Sequence, residues 1–346
     1  MPAGFISNHR SFQCHSIFTI AMIPKVSFFE QKIGTSIEKV LVDEQPHTLF
    51  DPARYILSLG GKRLRPILTL MAVDLFGKEV DAAVNPALAI EIFHNFSLLH
   101  DDLMDQADMR RGCPTVHKKW NANSAILSGD AMVIEAYRYI ARVPPEFLPE
   151  IIGLFSKTAM EICKGQQYDM DFEHRLDVSE AEYIEMIRLK TAVLIGCALK
   201  IGAIMAKAPA NDADALYAYG INMGLAFQLK DDLLDVYGDP KTFGKKIGGD
   251  IVSNKKTFLL IKALKNANQY QKEELHRCLS ATDFDPEAKI RFVKNIYDEL
   301  NLKFISENLI EKYYLASLDC LSSINVSDDR KKDLIDLSEY LMHREK

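Results

Sequence analysis

The 346-residue chain has few cysteines and no cysteine motif. Its six cysteines are scattered, and no two of them form a CxxC pair: Cys14, Cys113, Cys163, Cys197, Cys278 and Cys320. Structural zinc sites and disulfide frameworks both need cysteines at close, regular spacings, so both classes of protein are disfavoured. The pattern is typical of reduced thiols, and we expect a cytoplasmic protein.

Long apolar runs are also absent. A membrane-spanning helix needs roughly 18 to 20 consecutive apolar residues, and the longest candidate, residues 192–206, is interrupted by Lys200. Residues 1–22 hold only a short apolar patch and no good cleavage site, which makes a poor signal peptide. We therefore predict no membrane span. We interpret residues 1–22 as a disordered or non-essential extension before a single domain over residues 23–346.

The chain also has no excess of basic residues over acidic ones, and this limits the kinds of partner that it is expected to bind. The chain has 42 Lys and Arg against 48 Asp and Glu, a net charge of -6. Proteins whose main partner is nucleic acid usually carry net positive charge, so we expect no nucleic-acid partner. With 48% hydrophobic residues, the chain is long and apolar enough to bury a sizeable core.

The pattern of apolar residues predicts an all-α fold. Apolar residues recur at three- and four-residue spacing, without the sustained alternation of strands. Glycines and prolines separate the periodic segments, and no Pro- or Ser-rich linker divides the chain. The part beyond about residue 266 offers no evident chemistry and is interpreted as structural support. Helices are predicted over residues 27–43, 49–76, 86–107, 124–141, 146–173, 179–206, 212–238, 255–266, 286–299, 301–322 and 329–342.

Two acidic clusters of the form DDxxD carry the strongest functional signal. Asp101, Asp102 and Asp105 form the first, and Asp231, Asp232 and Asp235 form the second. Each follows an apolar, helix-period stretch, and residues four apart share a helix face. A single copy is usually a solvated face. Two copies in matched apolar settings instead favour a site for Mg2+, because crowded carboxylates are costly unless a hard cation lies between them.

A basic turn, Gly60-Gly61-Lys62-Arg63-Leu64-Arg65-Pro66, is the next signal. Paired glycines permit a tight turn, and the cations near the following helix start favour an anion there. Alone, such a turn is more often solvated surface. Mg2+ together with Arg and Lys is how proteins hold a diphosphate, so the acidic clusters and further cations indicate one diphosphate site and this turn a second. The further cations are Arg110, Arg111, Lys230, Lys245, Lys246, Lys255 and Lys256.

Several polar residues lie on otherwise apolar helices and have two interpretations each. His94 precedes Asp101 by two helical turns, on the same face, and is either a core histidine or a ligand contact. Lys190, followed by Thr191, either snorkels to solvent or holds an anion in a cavity. Gln228 lies one turn before the second cluster, within reach of the same space.

These motifs resemble those of the trans-prenyltransferases, the head-to-tail isoprenyl diphosphate synthases also called polyprenyl synthetases. The resemblance spans residues 40 to 265 and keeps the family's order of motifs: GGKRLRP, DDLMD followed by Arg110-Arg111-Gly112, GQQYD, Lys190-Thr191, FQLKDDLLD, KKIGGDI and NKK. It implies an isoprenoid-synthase-type bundle of long antiparallel helices around a deep central cavity, usually a homodimer. It also implies condensation of isopentenyl diphosphate with an allylic diphosphate (dimethylallyl, geranyl or farnesyl), releasing pyrophosphate.

The resemblance further implies a role for each matching residue. Asp101, Asp105 and Asp231 would be the chief ligands of three Mg2+ ions, with Asp102, Asp232 and Asp235 in support. The allylic diphosphate would contact Arg110, Lys190, Lys246 and Lys255. Isopentenyl diphosphate would contact Lys62, Arg65, His94 and Arg111. Thr191 and Gln228 would place oxygen dipoles near the allylic cation, and the released pyrophosphate would take the proton, so no side-chain base is expected.

Two residues on the first acidic helix are candidates for setting product length. Ser97 and Phe96 lie four and five residues before Asp101, which is about 6 to 7.5 Å along a helix. Phe96 is bulky enough to act as a floor for the growing tail, although ordinary core packing is the alternative. By resemblance, one aromatic residue at the farther position favours geranylgeranyl diphosphate as product, with farnesyl diphosphate next. A long-chain product would need a small residue at position 96.

Two other functions stay open at this point. A class I terpene cyclase also uses DDxxD and Mg2+, but it needs no isopentenyl site and its second motif contains Asn or Asp, Ser or Thr, and Glu. A non-catalytic partner subunit of a synthase typically has degraded acidic motifs. Both clusters are intact here and the basic turn is present, which disfavours the two alternatives. The sequence leaves open the exact product length, the preferred primer and the pathway served.

Overall fold

The computed structural model describes residues 23–239, 247–281 and 283–343. In these residues the chain is all-α, as predicted, apart from one two-stranded hairpin, β1 (Met109–Arg110) with β2 (Cys113–Pro114). The helices are α1 Pro24–Ile37, α2 His47–Ser58, α3 Leu64–Leu75, α4 Val84–Met104, α5 Val116–Lys119, α6 Ala122–Ile140, α7 Leu148–Glu173, α8 Glu180–Ile187, α9 Val193–Met205, α10 Ala210–Tyr237, α11 Gly249–Val252, α12 Phe258–Asn266, α13 Gln269–Ser280, α14 Pro286–Glu299, α15 Leu302–Ser322 and α16 Asp328–His343.

Helix α9 lies at the centre of the bundle. Every residue of α9 except Lys200 is buried, and a helix that is apolar all round must be covered on all sides. Helices α3, α7 and α10 pack against it. Small residues allow the close approach: a Cβ at Gly220 of α10 would lie 2.7 Å from the Cα of Gly196 in α9. Because the loop between α9 and α10 is short, the two helices are antiparallel neighbours.

Local capping signals fix several helix starts. Ser179 and Glu182 form a capping box before α8, and Asn268 and Gln271 form another before α13. In each box, side chains satisfy backbone N–H groups that have no partner inside the helix. Thr257 caps α12 in the same way, by accepting a hydrogen bond from the backbone N–H of Leu260.

The helix predictions were wrong in several places: the short helices α5 and α11 were not predicted, the predicted helix 179–206 is divided by a π-helical turn, and two longer segments differ. The helix predicted over 49–76 is two helices, α2 and α3, because Gly60, Gly61 and Arg63 all adopt positive φ angles (76°, 125° and 45°), which a helix cannot contain. Helix α13 was missed: its many polar residues hid the periodicity, although the capping box was present in the sequence.

The domain prediction stays an interpretation. Buried apolar residues from Ile23 to Met342 belong to one hydrophobic cluster, which agrees with a single domain over the part of the chain that is described. The predicted extension, residues 1–22, lies outside the described residues. None of the described helices is both long enough and apolar enough to cross a membrane.

Candidate active site

Both acidic clusters lie at the carboxyl ends of long helices. Asp101 and Asp102 are in the last turn of α4, and Asp105 is its C-cap residue. The second cluster occupies the last two turns of α10. The helix dipole places partial negative charge at this end, so carboxylates there are unfavourable unless a cation is near. Burial, together with the neighbouring Asp101, raises the pKa of Asp105 to about 6.

In the first cluster, the carboxylate of Asp102 is buried and bonded to another side chain of the protein. Asp102 is 3% exposed, and its Oδ2 accepts a hydrogen bond from Nε of Arg110 at 2.7 Å. Burial raises the pKa of Asp102, while the Arg110 guanidinium opposes the shift. The other oxygen, Oδ1, is buried without a hydrogen-bond partner. An unsatisfied buried carboxylate oxygen is costly, and it fits a site that is completed by a bound group.

In the second cluster, hydrogen bonds hold the buried carboxylates in fixed orientations. Asp232 accepts from the Tyr183 hydroxyl at 2.5 Å and from Nε2 of Gln228 at 2.9 Å. Asp235 accepts from the backbone N–H of Asp250 at 3.0 Å. Burial, and then the negative charge of Asp250, raise the pKa of Asp232 well above its ordinary value. Cations are therefore needed near the cluster to keep it ionised.

Two lysines supply positive charge to the site, Lys190 at the first cluster and Lys255 at both clusters. Nζ of Lys190 lies 2.6 Å from Oδ2 of Asp169 and 3.2 Å from Oδ1 of Asp101. Burial lowers the pKa of Lys255, but the carboxylates of Asp250, Asp169, Asp232 and Asp101 together raise it above its ordinary value. Lys255 therefore interacts electrostatically with both clusters. Although more than a hundred residues separate the clusters in sequence, they belong to one site.

A π-helical turn, Arg188–Ala192, presents Lys190. Such turns are rare and occur frequently at functional sites. The turn packs on α7 at Gly165, where an added Cβ would lie 2.4 Å from the backbone nitrogen of Lys190. A side chain at position 165 would therefore displace the backbone that carries Lys190. Next to Lys190, the Thr191 hydroxyl donates to Oε1 of Gln228 at 3.0 Å, so Thr191, Gln228 and Asp232 form one hydrogen-bonded chain.

The residues predicted to bind isopentenyl diphosphate form a second, basic group. Arg65 at the start of α3 has Nη1 3.2 Å from Nε2 of His94 on α4. Burial, with Arg65, Arg111 and Arg110 nearby, holds the pKa of His94 well below 6.5, so the imidazole is neutral and accepts from Arg65. Arg111 donates to the carbonyl of Gly60, and its guanidinium lies where a Cβ of Gly61 would be.

The remaining predicted residues have the following positions. Lys62 is exposed, with Nζ 6.0 Å from the ring centroid of Tyr340 on α16. Lys246, predicted to contact the allylic diphosphate, lies outside the described residues. Phe96 is partly buried, with ring centroids 4.8 Å from His100 and 5.2 Å from Phe93. Ser97 donates its hydroxyl to the carbonyl of His94, so this hydroxyl is satisfied within its own helix.

Three site residues were not found by sequence reasoning. Glu91 is 2% exposed, accepts a hydrogen bond from Asn95 at 3.0 Å, and lies near Arg65 and Arg111. Its spacing, three residues before His94 on one helix face, was the available signal. Asp250, within GGDI, supports Asp235. Tyr183 lies eight residues before Thr191, and its role depends on tertiary contact alone.

The donor set fits a divalent metal bound together with a ligand. Carboxylate oxygens are the ligands preferred by Mg2+, which usually keeps several waters and shares its coordination with phosphates. Among the described residues, no three Asp, Glu, His or Cys side chains converge closely enough to hold an ion by themselves. Lys190 contacts Asp101, and ion binding there would therefore depend on co-ligands and on movement of the Lys190 side chain.

Comparison with known proteins gives consistent matches over most of the chain. A family model described as polyprenyl synthetase matches residues 46–299. A geranylgeranyl pyrophosphate synthase of Geoglobus acetivorans is 37% identical over 315 residues, covering 90% of this chain and 96% of that protein. A geranylfarnesyl diphosphate synthase of Aeropyrum pernix is 36% identical over 309 residues, covering 87% and 96%. A crystal structure of a geranylgeranyl pyrophosphate synthase is 43% identical, with a TM-score of 0.87, covering 95% and 100%.

Proposed function

The chain belongs to the polyprenyl synthetase family, and on that premise we propose that it condenses isopentenyl diphosphate with an allylic diphosphate. The product is a short-chain all-trans prenyl diphosphate, with geranylgeranyl favoured and farnesyl next. One observation carries the proposal: two acidic clusters, at the ends of α4 and α10, interact with the same Lys255, and Lys190 contacts Asp101 of the first cluster. The basic group of Arg65, His94 and Arg111 lies beside the clusters. This follows from the charge of Asp231, which is near enough to Arg65 to oppose the lowering of its pKa by burial.

The acidic clusters and lysines bind the allylic diphosphate in this proposal. Three Mg2+ ions would be held chiefly by Asp101, Asp105 and Asp231, with Asp102, Asp232 and Asp235 in support. When bound, the ions neutralise the diphosphate and stabilise the charge that develops on the leaving pyrophosphate. Lys190 and Lys255 add fixed positive charge at the same place, which lowers the barrier without reorganisation. Arg110 and Lys246 complete the allylic contacts.

The second substrate is held by the basic group. Arg65 and Arg111 donate to the isopentenyl diphosphate, neutral His94 fixes Arg65, and Lys62 adds a contact from the turn. Holding the isopentenyl double bond close to the allylic carbon converts a two-substrate reaction into an effectively intramolecular one. Thr191 and Gln228 place their oxygens near the positive charge that develops on the allylic carbon. The released pyrophosphate takes the proton, so no side chain acts as the base.

Product length, in this proposal, is set by aromatic residues that precede the first cluster on α4. Phe96 is supported by Phe93, whose ring centroid lies 5.3 Å from Phe155, and Phe155 packs in turn on Tyr137 at 5.1 Å. A ring backed by further rings cannot move aside easily, since protein interiors are close-packed. We therefore assign Phe96 as the floor for the prenyl tail. The relatives include synthases named for geranylgeranyl and for the longer geranylfarnesyl product.

Oligomeric state and location are further proposals. Large exposed apolar side chains lie on α6 and α7, at Ile126, Leu127, Ile134, Ile152 and Met160. Exposed apolar surface of this kind marks protein interfaces, and it supports a homodimer. Sedimentation equilibrium should give twice the 39.1 kDa chain mass. The five described cysteines are all free thiols, which supports a cytoplasmic location.

The test is incorporation of labelled isopentenyl diphosphate with farnesyl diphosphate as primer, with Mg2+ or with excess chelator. We expect a longer prenyl diphosphate only when Mg2+ is present. Hydrocarbon formed from farnesyl diphosphate without isopentenyl diphosphate would indicate a terpene cyclase. No turnover by the pure chain, but a changed product when it is added to an active synthase, would indicate a partner subunit.

A further inference from the structure

Lys255 is carried by a short irregular segment, residues 253–257, between α11 and α12. Its backbone N–H donates to the carbonyl of Asp250, and its own carbonyl accepts from the N–H of Thr257, both at 2.9 Å. These two bonds connect Lys255 only to its near neighbours in sequence. A segment without regular structure needs further contacts if its side chain is to stay in one place.

Asn254 supplies the first of these contacts. It adopts a positive φ of 59°, a conformation that asparagine and glycine tolerate better than other residues. Its Nδ2 donates to the carbonyl of Leu279 in α13 at 3.1 Å, and its Oδ1 accepts from Nζ of Lys289 at 2.6 Å. One side chain therefore connects the segment to both α13 and α14.

Two buried ammonium groups complete the support. Lys289 on α14 is 4% exposed and also donates to the carbonyl of Val252 at 3.2 Å. Lys256 is 6% exposed and donates to the carbonyl of Asn254 at 3.0 Å and to that of Glu173, at the end of α7, at 3.1 Å. Within the described part of the chain, neither ammonium forms an ion pair within 4.0 Å.

Burying a lysine without a carboxylate partner is costly, and burial lowers the pKa of both Lys289 and Lys256. A methionine would fill the position of Lys289 at lower cost if packing were the only requirement. The ammonium offers what a methionine lacks, which is two strong hydrogen bonds to residues 252 and 254. The segment they fix carries Lys255 into the electrostatic field of both acidic clusters.

We propose that Lys289, acting through Asn254, is a positioning residue that holds Lys255 against the allylic diphosphate. The inference deepens the proposed function and rests on it. It also gives the C-terminal part of the chain, interpreted above as support, a defined connection to the chemistry. Displacement of a substrate-positioning group by about 1 Å can reduce turnover by about a hundredfold.

The test compares Lys289→Met and Asn254→Gly with the control Arg291→Met. Glycine keeps the positive φ at 254 while removing both side-chain bonds, and Arg291 is exposed on the same helix as Lys289, α14. We expect both test variants to raise KM for the allylic diphosphate and to reduce kcat/KM for it by roughly 10- to 100-fold. KM for isopentenyl diphosphate and all parameters of the control should change less than about twofold.

A second arm asks whether Lys289 acts through Lys255. In a Lys255→Ala background, Lys289→Met should add less than about a twofold further loss, because coupled residues are not additive. An equal loss in both backgrounds, or parental kinetics in folded Lys289→Met and Asn254→Gly, would overturn the inference. If Lys289→Met does not fold, Asn254→Gly carries the same test.

Failure of the proposed function would be recognised separately. If the parent chain itself forms no product, the readout becomes calorimetric binding of inorganic pyrophosphate with Mg2+. Weaker binding in Lys289→Met and Asn254→Gly, with unchanged binding in Arg291→Met, would then support the positioning role. Unchanged binding in all three variants would contradict it.

Discussion

Removal of one hydroxyl group, in Tyr183→Phe, probes how the second acidic cluster is held. Tyr183 is 1% exposed, and its hydroxyl donates to Asp232 at 2.5 Å. Burial, with Asp232 nearby, holds the pKa of Tyr183 far above its ordinary value, so the neutral phenol is the donor. Phenylalanine fills the same space, and the substitution therefore removes a hydrogen bond without creating a large cavity.

The size of the effect follows from the charge on the acceptor. A hydrogen bond to a charged group contributes about 1.5–3 kcal/mol, and an unsatisfied buried acceptor costs a similar amount. Asp232 keeps its bond from Gln228, so it stays partly satisfied. We expect the free energy of unfolding to fall by about 1.5–3 kcal/mol. If half of this loss is expressed in the transition state, kcat/KM falls about fourfold to thirteenfold.

A matched control separates stability from catalysis. Tyr219 is also buried, and its hydroxyl bonds to the Ser338 hydroxyl at 2.6 Å, away from the acidic clusters. Tyr219→Phe should lose about 1 kcal/mol of stability and keep its kinetics. Urea unfolding and steady-state kinetics of both variants test this. Parental kcat/KM in a destabilised Tyr183→Phe would refute the argument, because the hydroxyl would then support only the fold.

Three further predictions concern other parts of the site. Phe96→Ala should shift the products to longer chains, as sized by chromatography, and an unchanged product profile would remove Phe96 as the floor. Asp101→Ala should reduce turnover at least about a hundredfold while leaving the circular dichroism spectrum unchanged, and near-normal turnover would contradict its role as a metal ligand. His94 should make the fold acid-sensitive. Because its pKa in the folded state lies below its unfolded value, the unfolded chain binds the extra proton, and stability falls as pH drops below about 6.5, by at most ~1.4 kcal/mol per pH unit. His94→Gln should weaken this dependence in urea unfolding between pH 7 and 5.5, and an identical slope would show that folding does not lower the pKa of His94.

Features that depend on local chemistry were predictable from the sequence. The two DDxxD clusters stood out because like charges four residues apart on an apolar helix are unfavourable without a cation. Helix periodicity also singled out His94, which lies two turns before Asp101 and whose Nε2 is 3.2 Å from Nη1 of Arg65. Periodicity found most helices, and it failed at Gly60 and Gly61, where the positive φ angles end one helix and precede the next.

Features that depend on tertiary contact were not predictable. Tyr183 and Asp232 are 49 residues apart in sequence, and nothing in the local pattern pairs them. Lys289 lies on a helix whose charges gave no chemical signal, yet its ammonium is buried against residues 252 and 254. The π-helical turn at Lys190 was likewise hidden inside one continuous predicted helix, because its apolar spacing differs from an α-helix by a single residue.

The most direct measurement is product sizing. The pure protein is incubated with Mg2+, labelled isopentenyl diphosphate and, separately, dimethylallyl, geranyl and farnesyl diphosphate. Chain extension that stops at twenty carbons from each primer is the predicted result, and it supports both the condensation and Phe96 as the floor. A stop at fifteen carbons would place the floor nearer to Asp101, and products beyond twenty-five carbons would show that Phe96 does not close the cavity. No incorporation with any primer would contradict the proposed function itself.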